Sequence, residues 1–453
     1  MAKTFSARKI AAVARTAALV TAVALVPATT ASIAQVDARA GSEFNKMFAV
    51  YQRIKASYVE PVEDEVLVRG AIDGMLGALD PHSGYIDGQA MERMNQLIDG
   101  NYQGLGISIQ MEDGAVKVVS PFKGSPAEAA GIKAGDFITH VEGELIYGED
   151  IDYAVGKMRG PAGTPVNLTI VRAGRDEPIE LTVTRGLIEL EPVTHELMAG
   201  GIGVVSVNEF SRDVGSDVFE AVRRMEKENG SKLSGLVLDL RRNPGGSLDE
   251  AVTLSDLFLT EGQIVSQRGR NRQDNAVYRA ETAFRGDVAA DVPMIVLIDA
   301  GSASASEIVA GALQDQRRAV VMGERSFGKG SVQSLLPLTR DTALKLTTAR
   351  YYTPSGRSVQ EGGIEPDIKV PQLSDPDAAQ RARFQLRESD LRGRLINEVD
   401  LDERELEMDR AQDPRFTQTA EELEAAGIDD FQLDYAIKTL RRTTGTATAR
   451  RGN

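Results

Sequence analysis

The segment GLVLDLR at residues 235–241 is apolar almost without interruption, and so is PMIVLID at residues 293–299. A strand with no polar face has no side to offer to water, so it belongs inside a sheet that is covered on both faces. Residues leading to Met225, residues 248–259 and EIVAGALQD at 307–315 carry helical spacing instead. Buried strands alternating with helices, opened by IGVVSVNEF at 202–210, predict an α/β core.

Upstream of this core the hydrophobic period is different. Phe44, Met47, Phe48, Tyr51 and Ile54 recur every three or four residues, and residues 66–79 repeat the pattern, which predicts an amphipathic helical segment over 35–98. LDPHSGYI at 79–86 breaks it with proline and glycine, and His82 reads as a turn or core-edge histidine. Near Gly100 the period becomes alternating. GISIQ, AVKVVS, FITHVEG, VNLTIVR and IELTVTR are five short strands, with helical stretches at 126–130 and 149–158, a mostly-β module over 99–188. The α/β unit then occupies 189–372. Residues 373–453 form a charged tail, helical around 421–441 and expected to lack order at its end.

Length and charge bound the function. At 453 residues the chain holds several cores, and a net charge of −15 argues against a nucleic-acid surface. The absence of cysteine excludes disulfides, thiolate metal sites and a thiol nucleophile. The three histidines, His82, His140 and His195, are too scattered for a metal pair, and any histidine mechanism would rest on one of them. Residues 1–34 read as a secretory leader. Lys3, Arg8, Lys9 and Arg15 precede a ten-residue apolar run, 17–26, that is closed by Pro27 and followed by small residues. Ten residues are too few to span a bilayer. The expected location is the periplasm, with inner-membrane association if the leader is retained.

Chemistry concentrates in three loops. GSASASEI at 301–308 brings small residues to a helix start, where free N–H groups and the positive dipole end would suit a developing oxyanion. Ser302, Ser304 and Ser306 are all nucleophile candidates, and Ser306, next to Glu307, fits a helix cap. Lys329 lies between Gly328 and Gly330. Close packing there would desolvate its ammonium, favour the neutral amine and make it a general base for a serine. LRRNPGG at 240–246 offers Gly245 and Gly246, whose N–H groups can turn toward a ligand. Two rival motifs fail on detail. Residues 323–329 open like a phosphate-binding loop but continue with Gly330 rather than Ser or Thr, and no helix is expected beyond. Ser326 and Lys329 have S-x-x-K spacing, but the glycines make a poor helical turn. In the β-module, YQGLGISI at 102–109 places Leu105, Gly106 and Ile107 where a loop and strand edge could take a peptide carboxylate.

These elements together resemble the C-terminal processing peptidases, or tail-specific proteases, over residues 44–370. The resemblance rests on LDPHSGYI, YQGLGISI, GIKAGDFI, LRRNPGG, GSASASEI and FGKGSVQ in that order. It implies a PDZ domain over 99–188 and a protease core similar to the crotonase-like spiral. It selects Ser304 as nucleophile, Lys329 as base and Gln333 as its supporting glutamine. An oxyanion hole would come from Ala305 and one of Gly245 or Gly246. It further implies peptide hydrolysis without cofactor or metal, a homodimer, and an adaptor lipoprotein as partner. Arg159, in MRGPAG, is a candidate for coupling the PDZ site to the core, against the plainer reading of a surface arginine. The alternative functions are an inactive PDZ scaffold, which would be expected to lose Ser304 or Lys329, and a P-loop hydrolase.

Overall fold

The computed structural model describes residues 38–88, 90–91, 94–95, 100–112, 114–149, 151–175, 177–189, 191–281, 286–374, 386–399, 401 and 415–451. The expected leader, residues 1–34, lies outside them. The chain divides into two compact units, residues 1–74 and 75–453.

In the first unit, helix α1 (Ala38–Ser57) turns into α2 (Asp64–Gly77). Asp64 opens α2, where its charge suits the helix dipole. It also accepts from Tyr51 Oη at 2.7 Å and pairs with Lys55 at 2.7 Å, closing the turn. Phe44, Phe48 and Val50 remain exposed on α1.

The second unit takes in the last turn of α2 and continues with β1 (Gly84–Ile86) and β2 (Asn101–Gly104). The turn around His82 therefore leads into a strand, which the proline and glycine had hidden. The β-module follows, as β3 (Ile107–Glu112), β4 (Ala115–Pro121), α3 (Pro126–Ala129), β5 (Phe137–Val141), β6 (Glu144–Leu145), α4 (Ile151–Met158), β7 (Pro165–Val171) and β8 (Ile179–Thr184). Its sheet order is β3-β4-β5-β7-β8, with β6 on β5, so β3 is an edge. Inward residues Val116, Val118, Ile138, Val166, Leu168 and Ile170 form its own core. β9 (Gly186–Glu189) returns to pair with β2.

The α/β core runs β10 (Val193–Met198), β11 (Ile202–Val207), α5 (Val214–Asn229), β12 (Gly235–Asp239), α6 (Leu248–Asp256), β13 (Gln263–Gly269), β14 (Ala276–Arg279), β15 (Met294–Ile298), α7 (Ala305–Asp315), β16 (Val320–Gly323), β17 (Ser331–Pro337), β18 (Ala343–Tyr352) and β19 (Ile368–Lys369). One sheet has the order β10-β11-β12-β15-β16-β19, parallel from β11 onward. The other joins β1, β18, β13 and β14, with β17 on β18.

The parallel strands are apolar on both sides because both sides are covered. Leu236, Leu238, Val296 and Ile298 face a core shared with α5, α6 and α7. Val237, Ile295 and Leu297 face the other way, against Leu423, Phe431, Ile437 and Leu440. Those last residues come from α8 (Ala420–Ala425) and α9 (Phe431–Arg451). Residues 423–440 of the charged tail are thus a packed layer of the core. Helix α9 continues to Arg451.

Candidate active site

Three loops leave the carboxyl ends of the adjacent strands β12, β15 and β16, and they converge. This is where ligands sit in open α/β sheets. Ser304, Ala305, Gly245, Gly246, Lys329 and Gln333 all line one cavity of about 470 Å³, walled by Phe210, Leu248, Ile308, Val332, Leu335 and Tyr351.

Ser304, not Ser306, is the N-cap of α7, which corrects the expectation from sequence. Ser306 is buried and its hydroxyl donates to the Asn243 carbonyl at 3.0 Å, while Ser302 donates to the Leu240 carbonyl at 2.8 Å. Both are used in holding loops together. Ser304 has φ 55° and ψ −109°, a strained conformation for a residue with a side chain. The cap is closed from the other side by Glu307, whose carboxylate accepts from the Ser304 N–H at 2.7 Å.

Glu307 does more than cap. It is fully buried and also accepts from Ser326 Oγ at 2.6 Å, from Gly328 N–H at 2.7 Å and from Lys329 N–H at 3.0 Å. One carboxylate therefore fixes the backbone of the serine loop to that of the lysine loop. Burial pushes its carboxyl up to about 7, against four donors that favour the ionised form. Tyr351 Oη lies against the carbonyls of both Ser304 and Lys329, closing a second link between the loops.

Lys329 is partly buried and held below the usual lysine range, first by desolvation and then by the charge of Lys345. Glu388, Glu307 and Asp80 oppose that shift. Gln333 lines the cavity, and its amide donates to Ser331 Oγ at 2.9 Å and Thr347 Oγ1 at 3.3 Å rather than to any group of Lys329. The N–H groups of Ala305 and Gly246 take no acceptor among the described residues. Gly245 differs: its N–H already donates to Asn243 Oδ1 at 2.9 Å, so of the two glycine donors Gly246 is the one available. Gly245 still has to be glycine. A Cβ there, at φ 103°, would stand 2.9 Å from Ser304 Cβ and 3.0 Å from the Ala305 nitrogen.

Asn243 and Arg241 shape the glycine turn. Asn243 is buried, with its amide donating to the Val207 carbonyl at 2.8 Å. Arg241 is gripped by Asp239 at 2.6 Å and by Asp430, at the start of α9, at 2.7 Å. Neither Glu307 nor Asn243 stood out as functional in the sequence. The spacing Ser304-x-x-Glu307 is a capping-box signature and carried the missing signal.

No histidine lines the cavity. His82 Nε2 instead meets the buried Glu388 carboxylate at 2.8 Å, His140 Nδ1 meets Thr139 Oγ1 at 3.0 Å, and His195 is exposed on β10. A strand, β17, follows Lys329 where a phosphate-binding loop needs a helix, and Ser326 is engaged with Glu307 and with Ile364 N–H. Among the described residues no cluster of three or more His, Asp or Glu could hold a metal ion.

In the β-module, the N–H groups of Leu105 and Gly106 take no acceptor among the described residues, and Ile107 begins the edge strand β3. Gly106 has φ 73°, and a Cβ there would come within 2.4 Å of Ser125 Cβ. Arg159 follows α4 and stacks on the Tyr102 ring, 5.4 Å from its centroid.

Comparison with known proteins identifies the family. Residues 201–370 match the model of peptidase family S41, residues 117–172 that of the PDZ domain, and residues 10–90 that of the activating protease CtpB N-terminal domain. The carboxy-terminal-processing protease of Bartonella bacilliformis is 44% identical over 393 residues, 86% of this chain and 87% of that protein. The carboxy-terminal processing protease CtpB of Bacillus subtilis is 37% identical over 81% of this chain and 74% of that one. Among solved structures, a photosystem II D1 C-terminal processing protease is 28% identical and covers 73% of this chain and 87% of that one, with a TM-score of 0.46.

Proposed function

Because the chain belongs to peptidase family S41, among the carboxy-terminal processing proteases, we propose that it hydrolyses peptide bonds with Ser304 as nucleophile and Lys329 as general base. The observation that carries this reading is the cavity itself. It joins a serine held in a strained backbone conformation to a lysine that burial keeps below its ordinary range, beside two free N–H groups.

Neutral Lys329 takes the Ser304 Oγ proton as the oxygen attacks the scissile carbonyl. The oxyanion that forms is met by the N–H groups of Ala305 and Gly246, fixed beforehand at the start of α7 and in the glycine turn. Lys329 returns its proton to the leaving amine, an ester to Ser304 remains, and water that gives its proton to the again neutral Lys329 hydrolyses the ester and releases the product acid. Gln333, which lines the same cavity, is the residue that orients the lysine.

The PDZ domain selects substrates by their C-termini, with the Leu105 and Gly106 N–H groups taking the carboxylate and β3 pairing with the peptide. Arg159, held on Tyr102 next to that loop, couples occupancy to the core. The leader exports the protein to the periplasm, where it acts as a homodimer served by an adaptor lipoprotein. Cleavage of unfolded casein by wild type and by Ser304→Ala tests the reading. The variant should be inactive while Ser302→Ala and Ser306→Ala retain turnover, and full activity in Ser304→Ala would end it.

A further inference from the structure

The cavity holds a second ammonium. Lys345 lies in β18, opposite Leu335 of β17 and Gly84 of β1, and it lines the same cavity as Ser304, Lys329 and Gln333. The ammonium groups of Lys329 and Lys345 form no ion pair or hydrogen bond among the described residues, and Lys329 is tied to Glu307 through its backbone N–H alone. The carboxylates whose charges reach Lys329 are occupied elsewhere. Asp80 accepts from His82 N–H, Ser83 N–H, Ser83 Oγ and Thr347 Oγ1. Glu388 is bound by His82 and by Gln360 Nε2 at 2.9 Å, and Glu307 by its four donors.

We propose that Lys345 is a positioning residue for the reaction: its ammonium, standing in the catalytic cavity without a counter-ion, disfavours a second positive charge on Lys329 and keeps the base free of its proton. The inference rests on the reading of Lys329 as general base. Two cations in one partly desolvated cavity cannot both be charged cheaply. Lys329 is the one enclosed by closely packed backbone, with Gly328 against Glu361 and Gly330 against Gln360, and burial is the first cause that holds it below the usual lysine range. The direction of the Lys329 shift agrees, with Lys345 the main charge lowering it. Two other titratable groups face the cavity. Glu209 is raised by burial, and the Tyr351 phenol is raised well above its ordinary value.

The test is the pH dependence of kcat/KM on an uncharged peptide, for wild type, Lys345→Met, Lys345→Arg and Lys329→Arg. Lys345→Met should move the acid limb upward by about one unit, a tenfold loss below the limb that is recovered at high pH. Lys345→Arg should keep the limb at its wild-type position, because the charge is kept. A uniform fall at every pH in Lys345→Met, or a change in KM alone, leaves the limb where it was and overturns the proposal. That outcome with Lys329→Arg inactive removes Lys345 only, whereas turnover in Lys329→Arg removes the base itself.

Discussion

Replacing Glu307 by glutamine changes one atom, and the structure predicts a large effect. Oε2 accepts from Ser304 and Lys329 N–H, and Oε1 from Gly328 N–H and the Ser326 hydroxyl. An amide must present its NH₂ on one side. Toward Oε2 it faces two backbone N–H groups that cannot turn. Toward Oε1 the Ser326 hydroxyl can rotate and accept, but the Gly328 N–H is left without a partner in a buried site. The milder orientation therefore still orphans one donor, a cost of about 1–3 kcal/mol, and weakens the bonds left on Ser304 and Lys329. Misplacing those two groups by about 1 Å would reduce kcat/KM by about 100-fold. The assay is denaturant unfolding with casein turnover at pH 8, where the carboxylate is ionised. Stability within about 0.5 kcal/mol of wild type, together with normal turnover, would refute the account of Glu307 as the clamp between loops.

Gly245→Ala should cost more than tenfold in kcat/KM and roughly 1–3 kcal/mol of stability, because its Cβ meets Ser304 and Ala305 at a φ that disfavours side chains; turnover and a melting curve check both. Asp430 is held down to about 2 by the Arg241 guanidinium, despite its partial burial. Its folded value lies below its unfolded one, so its stabilisation is present above about pH 4 and is lost as pH falls through about 2. Asp430→Asn should accordingly be less stable than wild type at pH 7, and the deficit should shrink in unfolding curves taken toward pH 2. Inactive Ser304→Ala protein should bind a peptide with a free C-terminus at least about tenfold more tightly than its amidated form, measured by calorimetry.

The parts of the fold that were legible in sequence are those in which a strand's surroundings set its composition. GLVLDLR and PMIVLID are apolar on both sides because helices cover both sides, and the five strands of the β-module alternate because one face of each meets Val118, Ile138 and their neighbours. The helical tail was harder to place. Leu423, Phe431, Ile437 and Leu440 are diluted by charged neighbours, and only the sheet they cover reveals them as core. The same holds at the site. The serine, lysine and glycine loops each carry a local signature of small residues, whereas Glu307 and Lys345 take their meaning from partners more than 15 residues away or across a strand pair. The capping role given to Ser306 went astray because an adjacent glutamate looks like the start of a helix, and the serine three residues before it is the true cap.

The central claim is that Lys329 works as an uncharged base, and Lys329→Arg tests it most directly. Arginine keeps the charge and much of the reach but does not give up its proton. Initial rates of casein cleavage, with chelator present throughout and pH raised stepwise, should show wild-type kcat/KM climbing through a limb below the ordinary lysine range, and no turnover from Lys329→Arg at any pH. Near-normal cleavage by Lys329→Arg, or a wild-type rate abolished by chelator alone, would contradict it.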